Sequence, residues 1–354
     1  MNLYKSKTYI EDLEYTIKNT PVLEKLNSSS VFITGATGLI CSAVADLLFR
    51  YNEIYDAGIT VLVAARSQER AEQRFSRYES SPYFRFIQYD ATGKNDLKNR
   101  LPEHIDYIIH GASNSAPKDI QSHAVDTMLD NFTALYELLS YAEETGVQST
   151  LFISSSEVYG NKETAEPYRE DQYGYVDILN PRSSYSSGKR AGETLCSCFS
   201  AERGVRTVIV RPGHIYGPTA KRTDSHVSSA FAFDAAEGKS LVMKSVGLQL
   251  RSYCYSLDAA TAILTALLKG TTASAYNISN PKSVITIRQM VAILAEAGHV
   301  NVTFVEPSEM ERLGYNPMQN SSLNGEKLLE LGWRGRFDAD IGVKHTVQII
   351  KESE

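Results

Sequence analysis

Apolar residues in the first two thirds of the chain fall into short unbroken runs, separated by longer stretches in which they recur at helical spacing. Val31–Ile33, Ile59–Ala65, Phe84–Tyr89, Tyr107–Ile109, Thr150–Ser154 and Thr207–Arg211 read as strands. Runs this short, without polar alternation, suit strands covered on both faces. Asp126–Glu143 and Tyr185–Glu202 are the clearest helical stretches between them. Strand and helix in alternation predict a parallel sheet layered by helices. Beyond Pro212 a smaller lobe is expected, with the chain returning to the sheet around Tyr253–Lys269 and Ala275–Ile278. Residues 1–30, with Tyr9, Leu13, Tyr15 and Ile17 followed by Pro21-Val22-Leu23, read as an added helical arm that serves packing or oligomer contact.

Two local patterns carry chemistry. Val31-Phe32-Ile33-Thr34 runs into Gly35-Ala36-Thr37-Gly38-Leu39-Ile40 and then an apolar helical run through Ala43, Val44, Leu47 and Leu48. A strand, a glycine turn and a helix in that order let the backbone approach a pyrophosphate at the helix N-terminus. Further along, Tyr185-Ser186-Ser187-Gly188-Lys189 follows the strand-like Leu151-Phe152-Ile153 and its sequel Ser154-Ser155-Ser156-Glu157. On a helix, residues four apart are neighbours, so Tyr185 and Lys189 share a face. A free phenol ionises near pH ~10, and a nearby positive charge that favours phenolate brings it toward working pH. Ser155 is placed to orient a substrate alcohol for such a base.

Composition narrows the classes without naming one. The chain has 354 residues, of which 42% are hydrophobic and 22% charged, enough for a sizeable core in one large or two intimate domains. It holds no apolar run of bilayer length and no signal-type leader, so a cytoplasmic location and no membrane partner are expected. Cys41, Cys196, Cys198 and Cys254 form neither a disulfide framework nor a zinc spacing, and Cys196 and Cys198 read as packing residues. A net charge of -6 without a basic run argues against a nucleic-acid partner.

Taken in order, these motifs resemble an extended short-chain dehydrogenase/reductase of the NAD-dependent epimerase/dehydratase family acting on nucleotide sugars. The likeness runs from Val31 to Trp333 through Thr34-Gly35-Ala36-Thr37-Gly38, Asp90, His110-Gly111-Ala112-Ser113, Asn131, Val158-Tyr159-Gly160, Tyr185 to Lys189, Arg211-Pro212, Gly217-Pro218, Arg251 and Tyr276-Asn277-Ile278. It implies a Rossmann-type doubly wound parallel sheet, with a smaller C-terminal α/β lobe for the nucleotide sugar. The expected division is residues 31–211 plus 253–279 for the dinucleotide and 212–252 plus 280–354 for the sugar nucleotide. NAD is the implied cofactor, contacted by Gly35, Thr37, Gly38, Leu39, Ile40, Arg66, Asp90, Ala91, Gly111, Ala112, Ser113, Asn131, Tyr185, Lys189 and Pro212. No metal is implied. Relatives of this kind suggest a homodimer built on the tyrosine-bearing helix, whose Leu195, Cys196 and Phe199 serve either that contact or the core.

Within the family the closest resemblance is to UDP-glucuronate decarboxylases, carried by the register from Arg211 to Asp258, by His110 to Pro117 with Thr127 to Asn131, and by Asn180-Pro181-Arg182. Ser155, Tyr185, Lys189, Glu157 and Arg251 are the implied catalytic residues, and Ser113, Ser156, Glu157, His214, Val227 and Arg251 the implied substrate contacts. Sugar 4,6-dehydratases carry an Asp-Glu pair where this chain has Ser156-Glu157, which speaks against dehydration. A 4-epimerase or 4-ketoreductase needs the same Ser155, Tyr185 and Lys189 and stands as the alternative. Three positions depart from the pattern. Cys41 replaces a third glycine, Ile120 stands where the decarboxylases have tyrosine, and His214 where they have asparagine. The second strand also ends in Ala64-Ala65-Arg66 without the acidic residue that usually meets the ribose 2′-hydroxyl of NAD. Arg66 there either pairs with the 2′-phosphate of NADP, stacks on adenine, or is simply solvated.

Overall fold

A computed structural model describes residues 1–93, 95–113, 120, 122–162, 166–307 and 318–354. Strands β1 (Ser30–Thr34), β2 (Thr60–Ala65), β3 (Phe84–Gln88), β4 (Tyr107–His110), β5 (Ser149–Ile153) and β6 (Thr207–Pro212) match the six apolar runs to within a residue or two. Beyond them come β7 (His214–Tyr216), β8 (Leu241–Met243), β9 (Leu250–Tyr255), β10 (Ser274–Ile278), β11 (Val284–Thr286), β12 (Val302–Phe304) and β13 (Asn320–Ser321). The main sheet has seven parallel strands in the order β10-β6-β5-β4-β1-β2-β3.

The unbroken apolar runs have a direct cause. Val31, Ile33, Val61, Val63, Ile109, Leu151, Ile153, Val208 and Val210 face one core, which the Leu39–Tyr55 and Ser256–Lys269 helices cover. Their chain neighbours Phe32, Leu62, Ile108, Phe152 and Ile209 face a second core under the Ala124–Thr145 and Ser184–Arg203 helices. Both faces of these five strands are therefore apolar, as a doubly wound sheet requires, whereas the edge strand β3 leaves Arg85 and Gln88 exposed.

The chain leaves β1 toward β2 and β3, then crosses back to β4 on the other side of β1. Between β1 and β4 the winding reverses, and at such a point the loops after the two strands diverge and leave a crevice. The second sheet is centred on β9, which pairs with β7 and β13 in parallel and with β11 antiparallel. β8 and β12 form a separate parallel pair. Tyr253–Tyr255 thus belong to the second sheet, beside β7, and the Ser256–Lys269 helix carries the chain back to the first.

In the N-terminal arm the Lys7–Lys18 helix is capped by Ser6 and buries Tyr9, Leu13 and Ile17 in the same core as β1. Tyr15 differs from the expected pattern: it is 49% exposed and lies edge-on to Phe337. Its place on the helix puts it on the outer face, away from Leu13 and Ile17. Cys196 is buried in the second core, but Cys198, expected to pack as well, is exposed.

Candidate active site

Thr34, the last residue of β1, ties the two sides of the crevice together. Its hydroxyl meets His110 Nδ1 at 2.8 Å and accepts from the Gly111 and Ala112 amides, each at 3.2 Å. Gly35 follows at φ +67°, and a Cβ there would sit 2.8 Å from the Ala112 nitrogen, so neither the turn nor the close approach tolerates a side chain. Gly38, in extended conformation, starts the Leu39–Tyr55 helix without a side-chain cap. The Gly38 amide donates to the Gly35 carbonyl at 2.9 Å, whereas the first-turn amides at the half-buried Leu39 and Ile40 have no partner within the helix, and an anion there satisfies both them and the helix dipole; Thr37 is half-buried in the turn before them. Cys41 takes the space that a side chain on Gly111 would need. Burial pushes its thiol up to about 12 against the pull of Lys189, which makes it a packing group.

Beyond β2 lie the residues that the sequence reading assigns to the adenosine end of the dinucleotide. Arg66 is exposed there, and its carbonyl accepts from Gln88 Nε2 at 2.9 Å. Asp90 folds onto its own turn: one carboxylate oxygen accepts from the Thr92 amide at 3.1 Å and the Thr92 hydroxyl at 3.0 Å, with Ala91 half-buried between them. Asn131, fully buried, accepts from Ser113 Oγ at 3.0 Å and donates to the Thr127 carbonyl at 2.7 Å. Pro212 ends β6, on the other half of the sheet from β2, and is buried.

β5 ends at Ile153, and the carbonyl of Ile153 accepts from Lys189 Nζ at 2.8 Å. Ser155 then caps a short 3₁₀ turn, Ser156–Tyr159, by accepting the Glu157 amide at 3.1 Å, and its hydroxyl lies near enough to Tyr185 to favour the ionised phenol. The Ser184–Arg203 helix brings Tyr185 and Lys189 to that point because Gly188 and Gly192 let it lie close to its neighbours. A Cβ on Gly192 would stand 2.8 Å from Phe152 Cζ and 3.2 Å from the Asn131 carbonyl oxygen. Ser155, Tyr185 and Lys189 are thus brought together, with the ammonium 5.8 Å from the phenol ring centroid.

Their electrostatics differ from the sequence expectation. Burial, and after it Glu157, raises the Tyr185 phenol well above its ordinary range, while Ser155 and Arg182 pull it back. Lys189 is not the charge that lowers it: burial brings the lysine itself down to about 7, against the opposing influence of Glu193, and its ammonium is spent on the Ile153 carbonyl.

Glu157 is engaged as well. Arg182 grips it through two parallel bonds of 3.0 and 2.8 Å, the strong fork geometry of guanidinium and carboxylate. Ser156 is buried beside it. On β9, Arg251 is 3% exposed, and its Nη1 donates to the Leu250 carbonyl at 2.9 Å. Among the described residues no carboxylate lies within ion-pair distance of it. His214 opens β7 with Nδ1 buried and unpartnered, and burial together with Arg251 and His226 lowers it to about 3, so the ring is neutral. His226, held by Asp224 at 2.6 Å, precedes Val227, the half-exposed first residue of the Val227–Ala236 helix. Ile120 is buried; Asn114 to Pro117 lie outside the described residues.

Arg182, His226 and Glu193 are site residues that the sequence reading did not assign. Arg182 was visible in its Asn-Pro-Arg run, but nothing in the spacing points to Glu157 as its partner.

A model of the NAD dependent epimerase/dehydratase family matches residues 31–279. The chain belongs to that family. It is therefore an NAD-dependent enzyme of this type, and the helix N-terminus that follows Gly38, with the close Gly35–Ala112 approach, suits a dinucleotide pyrophosphate. Among curated proteins the chain is similar to UDP-glucuronic acid decarboxylase 1 of Danio rerio, at 26% identity over 95% of this chain and 77% of that protein. It is also similar to UDP-glucuronic acid decarboxylase 6 of Arabidopsis thaliana, at 30% identity over 75% of this chain and 76% of that protein. Among solved structures, dTDP-glucose 4,6-dehydratase from Streptomyces venezuelae with NAD bound has the same fold, at TM-score 0.77 and 22% identity over 91% of this chain and 97% of that chain.

Proposed function

We propose that this family member acts on a nucleoside-diphosphate sugar, oxidises its C4 hydroxyl transiently and, with a glucuronate as substrate, releases the C5 carboxyl group as carbon dioxide. The observation that carries the reading is Arg251, a buried guanidinium with no carboxylate partner among the described residues, close to His214, in a chain that also brings Ser155, Tyr185 and Lys189 together. A buried unpaired cation is costly. A ligand with a diphosphate or a carboxylate relieves that cost, and a nucleoside-diphosphate sugar acid has both.

Ser155 holds the C4 hydroxyl, and Tyr185, once ionised to the phenolate, takes its proton. Bound NAD supplies the acceptor for the hydride of C4 and its return. Lys189, fixed on the Ile153 carbonyl beside the phenol, would help to hold bound NAD. With C4 a ketone, the C5 carboxylate belongs to a β-keto acid. The bond between C5 and the carboxyl carbon breaks, and its electron pair enters an enolate over C4 and C5. Arg251 or a held water protonates C5.

Glu157 supports decarboxylation over 4,6-dehydration, since Arg182 holds it and Ser156 supplies no second acid, whereas loss of water needs a free acid and base. The relatives named as decarboxylases point the same way. We further propose a homodimer, with Val125, Met128, Leu129, Phe132 and Tyr136 as its contact. These residues form an exposed stripe on the Ala124–Thr145 helix, whereas Cys196 and Phe199 are taken up by the core.

Incubation with UDP-glucuronate and NAD should yield carbon dioxide and a UDP-pentose with no net NADH. Interconversion of UDP-hexose epimers without carbon dioxide would replace this reading with the epimerase alternative.

A further inference from the structure

Glu193 stands one helical turn after Lys189 and two after Tyr185, so the three follow one face of the Ser184–Arg203 helix. What Glu193 meets there comes from the ends of two strands. Side chains alternate along a strand, and Phe152 of β5 and Ile209 of β6 face the core under this helix, so Ser154 and Arg211, two residues further on, face it as well. Ser154 keeps the register of the sheet, its amide donating to the Val210 carbonyl at 2.8 Å, and its Oγ donates to Glu193 Oε1 at 2.5 Å. Arg211 closes on the same carboxylate through Nε at 2.9 Å and Nη2 at 2.6 Å.

The remaining donors of Arg211, which is 1% exposed, go to Tyr159 Oη at 2.9 Å, the Glu170 carbonyl at 2.9 Å and Tyr173 Oη at 3.0 Å. Every N–H of the guanidinium is thus engaged. The other charged groups nearby are committed elsewhere: the Glu170 carboxylate accepts the Asn277 amide at 2.8 Å, Arg190 Nε donates to the Val158 carbonyl at 2.6 Å, and Lys189 holds the Ile153 carbonyl. An apolar pair of this volume would fasten the helix to the sheet without the cost of burying charge. What the ion pair adds is direction, because a fully satisfied polar network fixes its members in place. Two of those members bracket one segment. Ser154 precedes Ser155, and Tyr159 ends the 3₁₀ turn that Ser155 caps.

We propose that Glu193 is a positioning residue: by holding Ser154 directly and Tyr159 through Arg211, it fixes the turn on which Ser155 presents its hydroxyl to the substrate. The inference rests on the reading that Ser155 meets the sugar alcohol, and is indifferent to what becomes of the keto sugar.

Glu193→Ala strands the buried Arg211 charge and threatens the fold. Ser154→Ala removes one hydrogen bond and leaves the ion pair whole, so it carries the test. In Ser154→Ala kcat should fall at least about tenfold while KM holds within about twofold, as misplacement of a reacting group predicts. On top of Ser155→Ala the same substitution should cost less than about twofold, because the turn then has no hydroxyl to present. An unchanged kcat, or equal losses in the two backgrounds, would overturn the proposal, the second by showing that Ser154 serves only the fold. Another measurement needs no substrate. Amide exchange at Glu157, Val158 and Gly160, which bond within the turn, should be at least about threefold faster in Ser154→Ala, with the Leu39–Tyr55 helix unchanged. Unchanged exchange at the turn overturns the proposal whatever the substrate. The kinetic assay runs on UDP-glucuronate or, where that yields no carbon dioxide, on a UDP-hexose, so failure of the decarboxylation reading leaves both tests standing.

Discussion

Tyr185 illustrates how a residue identified by its type takes its chemistry from neighbours that spacing does not reveal. A phenol four residues before a lysine reads as a base supported by that lysine, yet the charge that lowers this phenol comes from Arg182, and Glu157 opposes it. Replacing Arg182 with Gln removes the lowering charge and leaves Glu157 unpaired beside the phenol, and both changes raise its pKa. The limb of the kcat/KM profile that rises toward alkaline pH should therefore move to higher pH in Arg182→Gln, as read from the pH profile on UDP-glucuronate. An unmoved limb would show that the base is not this phenol. His214 gives a second test. Its folded pKa of about 3 lies below the ordinary 6.5, so between those values the unfolded chain binds the extra proton and acid favours unfolding. At pH 5 this costs about 2 kcal/mol. Asp258, raised to about 7 by burial, acts in the opposite direction, stabilising the fold as pH falls from 7 toward 3.8. The difference between proteins is therefore the useful quantity. The stability lost between pH 7 and pH 5 in urea unfolding should be smaller by about 2 kcal/mol in His214→Asn than in the unaltered protein.

At the scale of elements, the strands were legible because a sheet covered on both faces needs unbroken apolar runs. Val31–Ile33 and Thr207–Arg211 announce themselves for that reason. The second sheet was not legible: β7, β11 and β13 have only two or three residues each and form by pairing with β9 rather than by any pattern of their own. The catalytic helix was visible through Tyr185 and Lys189, but its depth against the sheet is set by Gly188 and Gly192, which read as unremarkable small residues. Gly192→Ala would drive a methyl group into Phe152 and the Asn131 carbonyl. Overpacking of this kind costs about 1–3 kcal/mol. Because the helix must shift to absorb it, kcat on UDP-glucuronate should fall at least tenfold while the protein stays folded by circular dichroism. An unchanged kcat would mean that the helix is not held at Gly192.

For the whole molecule, the family match begins at residue 31, yet residues 1–30 are part of the same core. The exposed stripe on the Ala124–Thr145 helix is a separate matter of assembly. Leu129→Lys should turn a dimer into a monomer by light scattering, and a dimer that survives the substitution would move the contact elsewhere. The arm is fastened by a buried carboxylate. Asp46, on the helix that follows the glycine turn, is completely inaccessible and accepts the hydroxyls of Tyr4 and Tyr9 at 2.5 Å each, together with Arg74 Nη2 at 2.5 Å. Removing one partner of a buried pair leaves the other charge uncompensated, at about 3–5 kcal/mol. Asp46→Asn should therefore lower the unfolding free energy by about that amount and loosen the arm, seen as faster amide exchange across residues 7–18. Removing the stranded cation as well, in Asp46→Asn with Arg74→Met, should recover a large part of the loss, because an apolar pair of similar volume carries no desolvation penalty. Recovery in the double variant identifies the charge as the source of the loss. Equal loss in both variants would show instead that the tyrosine hydroxyls, which keep only an amide to bond in each, hold the arm in place.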